Sequence, residues 1–153
     1  ERGLTNAASV FFLLYGLAAI GTRPLTGRLF DMRGENVIFY PCLLLTALSL
    51  FLLAEAQSSW MLLLSSLLLG VGFGNFQSAG QAVSLSLVSK SRFAQATTTF
   101  FIFFDLGIGL GPYLFGFMIP AAGYDGMYQT LAFVVLGAVL LYYVLHGRRV
   151  AAA

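Results

Sequence analysis

Residues 100–116 read Phe-Phe-Ile-Phe-Phe-Asp-Leu-Gly-Ile-Gly-Leu-Gly-Pro-Tyr-Leu-Phe-Gly. They belong to a longer run, Phe93–Pro120, in which Asp105 is the only charged residue. A helix needs about 20 mostly apolar residues to cross a bilayer, and this run is long enough to do so. The stretch therefore predicts a membrane-spanning helix with one carboxyl group near its middle.

Four other runs of the chain have the same character. In chain order they are roughly Leu4–Leu25, Val37–Ala54 and Trp60–Val88, which precede Phe93–Pro120, and Met127–His146, which follows it. The interruptions between the five runs are short and polar: Thr26–Asn36, Glu55–Ser59, Ser89–Arg92 and Ala121–Gly126. Such short connections make consecutive helices antiparallel. We therefore expect an all-α membrane protein with five transmembrane helices.

Composition supports the membrane class and argues against others. The 153 residues are 59% hydrophobic and 9% charged, whereas a soluble domain carries about 25% charged residues. The net charge of +2 is spread over short clusters and forms no dense basic patch, so no nucleic-acid partner is expected. Cys42 and His146 are each the only residue of their kind, so the sequence predicts no internal disulfide, metal site or cofactor. We expect Cys42 to be buried and His146 to lie at the membrane interface.

Basic residues predict the orientation. Seven of the eight lysines and arginines fall on one side of the predicted spans: Arg23, Arg28, Arg33, Lys90, Arg92, Arg148 and Arg149. The other side has only Arg2, and its loops carry Glu55 and Asp125. Lysine and arginine are enriched in cytoplasmic loops, so we expect a cytoplasmic C-terminus in a multi-pass plasma-membrane protein.

The first connection carries a recognisable motif. It reads Arg23-Pro-Leu-Thr-Gly27-Arg28-Leu-Phe-Asp31-Met-Arg33-Gly34. Gly27 would let two helix ends approach closely. Asp31 could pair with a neighbouring arginine, and because an exposed pair contributes only about 0–1 kcal/mol, its role would be to favour one conformational state. An ordinary positively charged turn is the alternative. The motif resembles the cytoplasmic signature loop of the major facilitator superfamily.

Other segments extend this resemblance over nearly the whole chain. The Gly-rich run ending in Gly111-Pro112 resembles an eleventh helix of these transporters, notably of bacterial drug–proton antiporters. The segment around Phe11, Phe12 and Tyr15 resembles an eighth helix, and the glycines near Gly72 resemble a tenth. Glu35-Asn36 departs from the family pattern, in which a further basic pair is common.

The resemblance implies helices eight to twelve of a transporter built from two six-helix halves, with helix seven and the N-terminal half missing. The first residue, Glu1, agrees with an expected fragment. The implied function is secondary active transport of a small molecule by alternating access, with proton-coupled efflux as the expected mode. The implied partners are the lipid bilayer, a small-molecule substrate, protons and the N-terminal half. The alternative is a non-transporting five-helix scaffold or accessory subunit. No catalytic motif is present, so no enzyme is expected.

Asp105 is the strongest candidate for a residue that takes part in transport. A charged residue deep in a membrane costs at least about 2.5–3.5 kcal/mol on insertion scales, so it should face a bundle or a watery cavity. Helical spacing puts it near one face with Thr98, Gly109, Pro112 and Gly116. Burial of a carboxyl favours its protonated form, as proton coupling requires. The alternative is a structural aspartate bonded to another helix.

The glycines form a second group of candidates. Gly70 and Gly74 on the third span, and Gly107 and Gly111 on the fourth, have the four-residue spacing of close helix contacts in lipid. Gly109 and Gly116 extend this small-residue stretch, and Pro112 should bend the helix because it lacks an N–H donor. The alternation of glycines superficially resembles a dinucleotide-binding loop, but that motif needs a preceding strand.

Three neutral polar residues complete the candidates. Asn75, Gln77 and Gln81 lie within the third apolar run, and the two glutamines share a helix face. They could line a substrate path or join helices by hydrogen bonds, and the sequence favours neither.

Overall fold

The computed structural model describes residues 5–148, and these contain helices and no strand. The long helices are α1 (Thr5–Arg33), α2 (Asn36–Ala54), α3 (Ser59–Ser86) and α4 (Phe93–Tyr142). A 3₁₀ turn, Lys90–Arg92, precedes α4, and a π-helical segment, Tyr143–Gly147, follows it. The predicted start of the first span at Leu4 and the charges of Arg2 and Arg149 lie outside the described residues.

The predicted all-α membrane class is confirmed. The predicted count of five spans is slightly off, because the last two predicted spans are joined in one helix that contains a turn. Residues 5–148 contain four helices that are long and apolar enough to cross a membrane. The last two predicted spans form one element because every residue of the polar stretch Ala121–Gly126 except Gly123 is helical. At Gly123, φ is 72° and ψ is 178°.

Gly123 divides α4 into two arms, which we call arm 1 (93–122) and arm 2 (124–142). A straight helix of 50 residues would be about 75 Å long, more than twice the roughly 30 Å hydrocarbon core. The backbone conformation of Gly123 is almost restricted to glycine, because a side chain would clash there. The predicted interruption is therefore a change of direction made at one residue.

The first connection is also shorter than predicted. Residues 26–33 are helical and extend α1, so most of the predicted signature loop is a helix end. Gly34, with φ of 81°, ends the helix, and its N–H donates to the Phe30 carbonyl over 3.0 Å. The physical reason is that no residue from Thr26 to Arg33 forbids helical geometry, whereas Gly34 adopts the left-handed conformation of a helix cap at little cost.

Helix α3 lies at the centre of the bundle. It runs parallel to α1, since Ser66 bonds to Phe11 near one end of the pair and Asn75 bonds to Thr22 further along. Helix α2 runs antiparallel to α3. The Ser49 hydroxyl donates to the Ser65 carbonyl over 2.8 Å at the end of α2, and the start of α2 packs on the last turns of α3.

The two arms of α4 run in opposite directions. Arm 1 returns along α3, where the Phe100 ring lies beside Gly80. Arm 2 runs antiparallel to α2. The Phe51 and Phe133 rings meet at a centroid distance of 5.4 Å, and Phe39 stacks on Tyr142 at the far end.

This topology places the described arginines and the lysine at one end of the bundle, together with Asp31 and Glu35. The α1–α2 turn, the α3–α4 connection and the end of arm 2 share one end, which holds Arg28, Arg33, Lys90, Arg92 and Arg148. The opposite end carries Glu55 and Asp125 among the described residues. The arrangement agrees with the predicted topology, which stays a prediction.

Candidate functional site

Close packing of α3 on α1 depends on two of the candidate glycines. A Cβ on Gly70 would clash with the backbone carbonyl of Tyr15, and one on Gly74 would lie 2.6 Å from the Ala19 Cβ. Gly72 packs in the same way on α2, where an added Cβ would lie 2.7 Å from the Cys42 carbonyl oxygen. These contacts place the polar groups of α3 between its two neighbours.

Asn75 joins α3 to α1 and is 2% exposed. Its amide nitrogen donates to the Thr22 hydroxyl over 2.7 Å and to the Val71 carbonyl over 2.8 Å. Its amide oxygen accepts from the Thr26 hydroxyl over 2.9 Å. Both amide N–H groups are therefore engaged. A substrate could bind Asn75 only by breaking these bonds, so the geometry favours a helix-joining role.

A cavity of about 270 Å³ opens beside Asn75 at the basic end of the bundle. Three candidate residues line it at four-residue intervals on α1, namely Arg23, Gly27 and Asp31. No neighbouring side chain lies within 4 Å of where a Gly27 Cβ would stand. Within residues 5–148, Asp31 makes no ion pair with Arg28 or any other cation. The cavity combines a cation, an anion and hydroxyl groups at an open surface.

Gln77 and Gln81 are half-buried on α3, and no hydrogen bond forms from either amide within the described chain. Ser84 continues their row by one turn and lines an open groove between α3 and arm 1. Thr99 and Phe100 form the facing wall. Unlike Asn75, the two glutamines therefore keep hydrogen-bonding capacity, although the residues that line this groove begin at Ser84 and include neither of them.

The face of arm 1 that carries Asp105 is exposed. Asp105 lies in a shallow depression with Ile102, Leu106, Gly109 and Leu110. The other residues predicted to share its face are exposed as well: Thr98, Pro112 and Gly116. Residues 5–148 thus do not provide the predicted shielding of the carboxyl, and any shielding would come from lipid or from other protein.

The glycines of arm 1 differ from those of α3. A Cβ on Gly107, Gly109 or Gly116 would have open space, and one on Gly111 would meet only the Phe115 ring of its own helix. The structure brings no other described helix against them. Gly70 and Gly74 are packed by this chain, whereas the arm 1 glycines present a smooth, uncovered surface.

One cluster was missed by the sequence predictions. Glu35 and Asn36 contact Tyr142, His146 and Gly147 at the end of the last helix. Their departure from the family pattern was the available signal, but their partners lie more than 100 positions away. No group of three or more metal-ligating side chains occurs within residues 5–148.

Comparison with known proteins gives the chain its family. The family model for the Major Facilitator Superfamily matches residues 3–152. The chain is 29% identical over 148 residues to an uncharacterized MFS-type transporter of Pseudomonas aeruginosa strain LESB58, covering 97% of this chain and 37% of the relative. It is 28% identical over 136 residues to the uncharacterized MFS-type transporter YhhS of Escherichia coli strain K12, covering 89% and 34%. No solved structure matches significantly. The chain thus spans little more than a third of these relatives, and it belongs to the major facilitator superfamily.

Proposed function

We propose that the chain is part of a secondary active transporter that moves a small molecule across the plasma membrane by alternating access, with proton-coupled efflux as its mode. Its family and its transporter-named relatives support transport in general. The observation that carries the finer proposal is the exposed face of arm 1, where Asp105 stands among glycines on an otherwise apolar surface. A lipid-facing carboxylate would be expensive, so this face is better suited to another protein surface and a watery path.

The other half of the transporter is the proposed cover for this face. The chain covers 37% of one relative's length, so most of such a protein is additional chain. Substrate sites in transporters of this kind lie near the midplane, between repeats. Asp105 would then border the path from one side.

In this scheme Asp105 exchanges protons. A carboxylate that alternates between a watery and a drier surrounding changes its affinity for protons, because desolvation disfavours the charged form. Gln77 and Gln81 would offer neutral hydrogen-bonding groups to the substrate. The exposed glycines would allow another helix to slide past arm 1, and Pro112 would weaken the helix locally because it lacks an N–H donor.

The proposed orientation places the basic end of the bundle in the cytoplasm. Arg28, Arg33, Lys90, Arg92 and Arg148 lie at that end, and cytoplasmic loops are rich in such residues. The C-terminus would follow arm 2 into the cytoplasm.

The test uses the complete protein in everted membrane vesicles. Respiration acidifies the vesicle lumen, and acridine orange quenching reports the gradient. A panel of lipophilic cationic dyes, beginning with ethidium, is then added. An antiporter dissipates the gradient in proportion to dye uptake, whereas vesicles without the protein do not. Gradient-independent, saturable dye flux would contradict proton coupling, and absence of flux across a broad panel of substrates would favour the non-transporting alternative.

A further inference from the structure

The turn between α1 and α2 is bound to the end of the last helix by polar groups. The Glu35 carboxylate contacts the His146 Nε2. The Tyr142 hydroxyl donates to the Asn36 amide oxygen over 2.8 Å, and the Asn36 amide nitrogen donates to the Gly147 carbonyl over 3.0 Å. We call these five residues the clamp. Glu35 and the first residue of α2, Asn36, thus contact three groups in the last turns of the final helix.

The local backbone is shaped for this contact. Residues Tyr143–Gly147 are π-helical, a rare conformation that is frequently found at functional sites. Gly147 is buried, and a Cβ there would clash with the Tyr40 hydroxyl. Tyr142 stacks on Phe39 with ring centroids 4.6 Å apart. The clamp therefore has a packed apolar base beneath its polar bonds.

The clamp contains the one ion-pair contact within residues 5–148. The Glu35 and His146 side chains are 13% and 22% exposed, so water screens their interaction only partly. Histidine is the ordinary side chain that changes charge between about pH 5 and 8. Hydrogen bonds between charged partners are about twice as strong as those between neutral ones. The hydrogen bond between Glu35 and His146 is therefore stronger when the imidazole is protonated than when it is neutral.

The surroundings leave this pair as the main charge contact of the clamp. From α2, Tyr40 packs on Tyr142 at a ring-centroid distance of 5.4 Å. On the last helix, the Arg148 guanidinium lies 5.9 Å from the centre of the Tyr143 ring. Arg33 precedes Glu35 by two positions at the end of α1, and neither arginine pairs with Glu35 within the described chain.

We propose that the clamp is a proton-sensitive joint, which holds the α1–α2 turn to the last helix more tightly when His146 is protonated. The joint would make α2, arm 2 and the end of α1 move together at low pH and separate more easily at higher pH. The pH sensed is that of the compartment facing the basic end. In the proposed orientation this is the cytoplasm, and only that assignment rests on the proposed function.

The experiment is a double-mutant cycle on the complete protein in detergent, which needs no transport assay. The variants are Glu35→Gln, His146→Gln and both together, and the free energy of unfolding is measured at about pH 5 and about pH 8, the limits between which histidine changes charge. We expect the coupling between the two positions to be about twice as large at the lower pH. Equal coupling at both pH values, or no coupling, would overturn the proposal.

Further variants keep the test decisive. His146→Lys retains a cation at both pH values, so its coupling to Glu35 should lose the pH dependence. Tyr142→Phe removes a neutral hydrogen bond of the clamp and should lower the free energy of unfolding by the same amount at both pH values. Glu55→Gln alters the exposed Glu55–Gln129 contact at the opposite end of the bundle. Combined with His146→Gln, it should show no coupling energy that differs between the two pH values. If His146→Gln does not fold, persistence of the full pH dependence in His146→Lys would contradict the joint by itself.

Discussion

The Asn75 amide nitrogen lies 2.7 Å from the Thr22 hydroxyl, so a side chain of α3 bonds directly to α1 inside the apolar bundle. Thr26 adds a second bond between the same helices at 2.9 Å. Hydrogen bonds between membrane helices contribute modestly, about 0.6 kcal/mol each on average and up to about 1.7. Because Asn75 is fully engaged and buried, its loss also leaves partners unpaired.

We therefore expect Asn75→Ala to lower the free energy of unfolding by about 1–3 kcal/mol. Unfolding of the complete protein in a denaturing-detergent titration measures this. Ser78→Ala is the matched control, because Ser78 lies on the same helix, lines the cavity and is exposed. An equal effect of the two substitutions would show that the Asn75 bonds do not join the helices.

Gly70→Ala should destabilise the bundle. Its Cβ would meet the Tyr15 backbone, which cannot rotate away as a side chain can, so we expect a loss of about 1–3 kcal/mol from overpacking. Gly137→Ala is the control, because its Cβ has open space, and it should be neutral or slightly stabilising. Thermal unfolding in detergent compares the two. Equal melting temperatures would mean that α1 and α3 do not pack this closely.

Gly123→Ala should disturb the turn between the arms of α4. Its φ of 72° with ψ of 178° is nearly restricted to glycine, so alanine would cost about 1–3 kcal/mol or force a different turn. Gly109→Ala, in open space on arm 1, should be tolerated. The measurement is crosslinking between cysteines placed at Phe51 and Phe133, whose rings are in contact. Undiminished crosslinking and stability in Gly123→Ala would argue against a turn that depends on this glycine.

Asp105→Asn should abolish proton-driven transport and leave folding intact. Asparagine keeps the size and hydrogen-bonding capacity of the side chain but cannot titrate. Substrate exchange without a gradient should survive, because that step need not move a proton. Flux in proteoliposomes with and without an imposed gradient separates the two, with expression and thermal stability as controls. Wild-type coupling in the variant would remove Asp105 from the mechanism.

The topology prediction is tested with single cysteines in a Cys42→Ala background. Gln57 lies in the α2–α3 turn and Ser89 in the α3–α4 connection, at opposite ends of the bundle, and both are exposed. A membrane-impermeant thiol reagent added to intact cells should label Gln57→Cys and spare Ser89→Cys. The reverse pattern would invert the orientation, and labelling of Ser89→Cys after permeabilisation controls for reactivity.

The sequence by itself determined the class of this protein. Long apolar runs such as Val37–Ala54 can only be satisfied as buried or membrane-spanning helices, because the backbone must bond to itself in lipid. The motif from Arg23 to Gly34 and the Gly-rich run before Pro112 indicated the family that the comparison then established. Apolar runs and short motifs are properties of consecutive residues, so the sequence alone is enough to recognise them.

Tertiary structure decided the role of individual polar residues. Asn75 and Gln77 look alike in the sequence, yet only Asn75 meets Thr22 and Thr26 on another helix. The glycines of α3 and arm 1 share a spacing, but only those of α3 are packed by the chain itself. Glu35 and His146 are 111 positions apart, and they meet because α2 and arm 2 run antiparallel. Such pairings depend on which helix faces are brought together, and this information is absent from the spacing of residues along one helix.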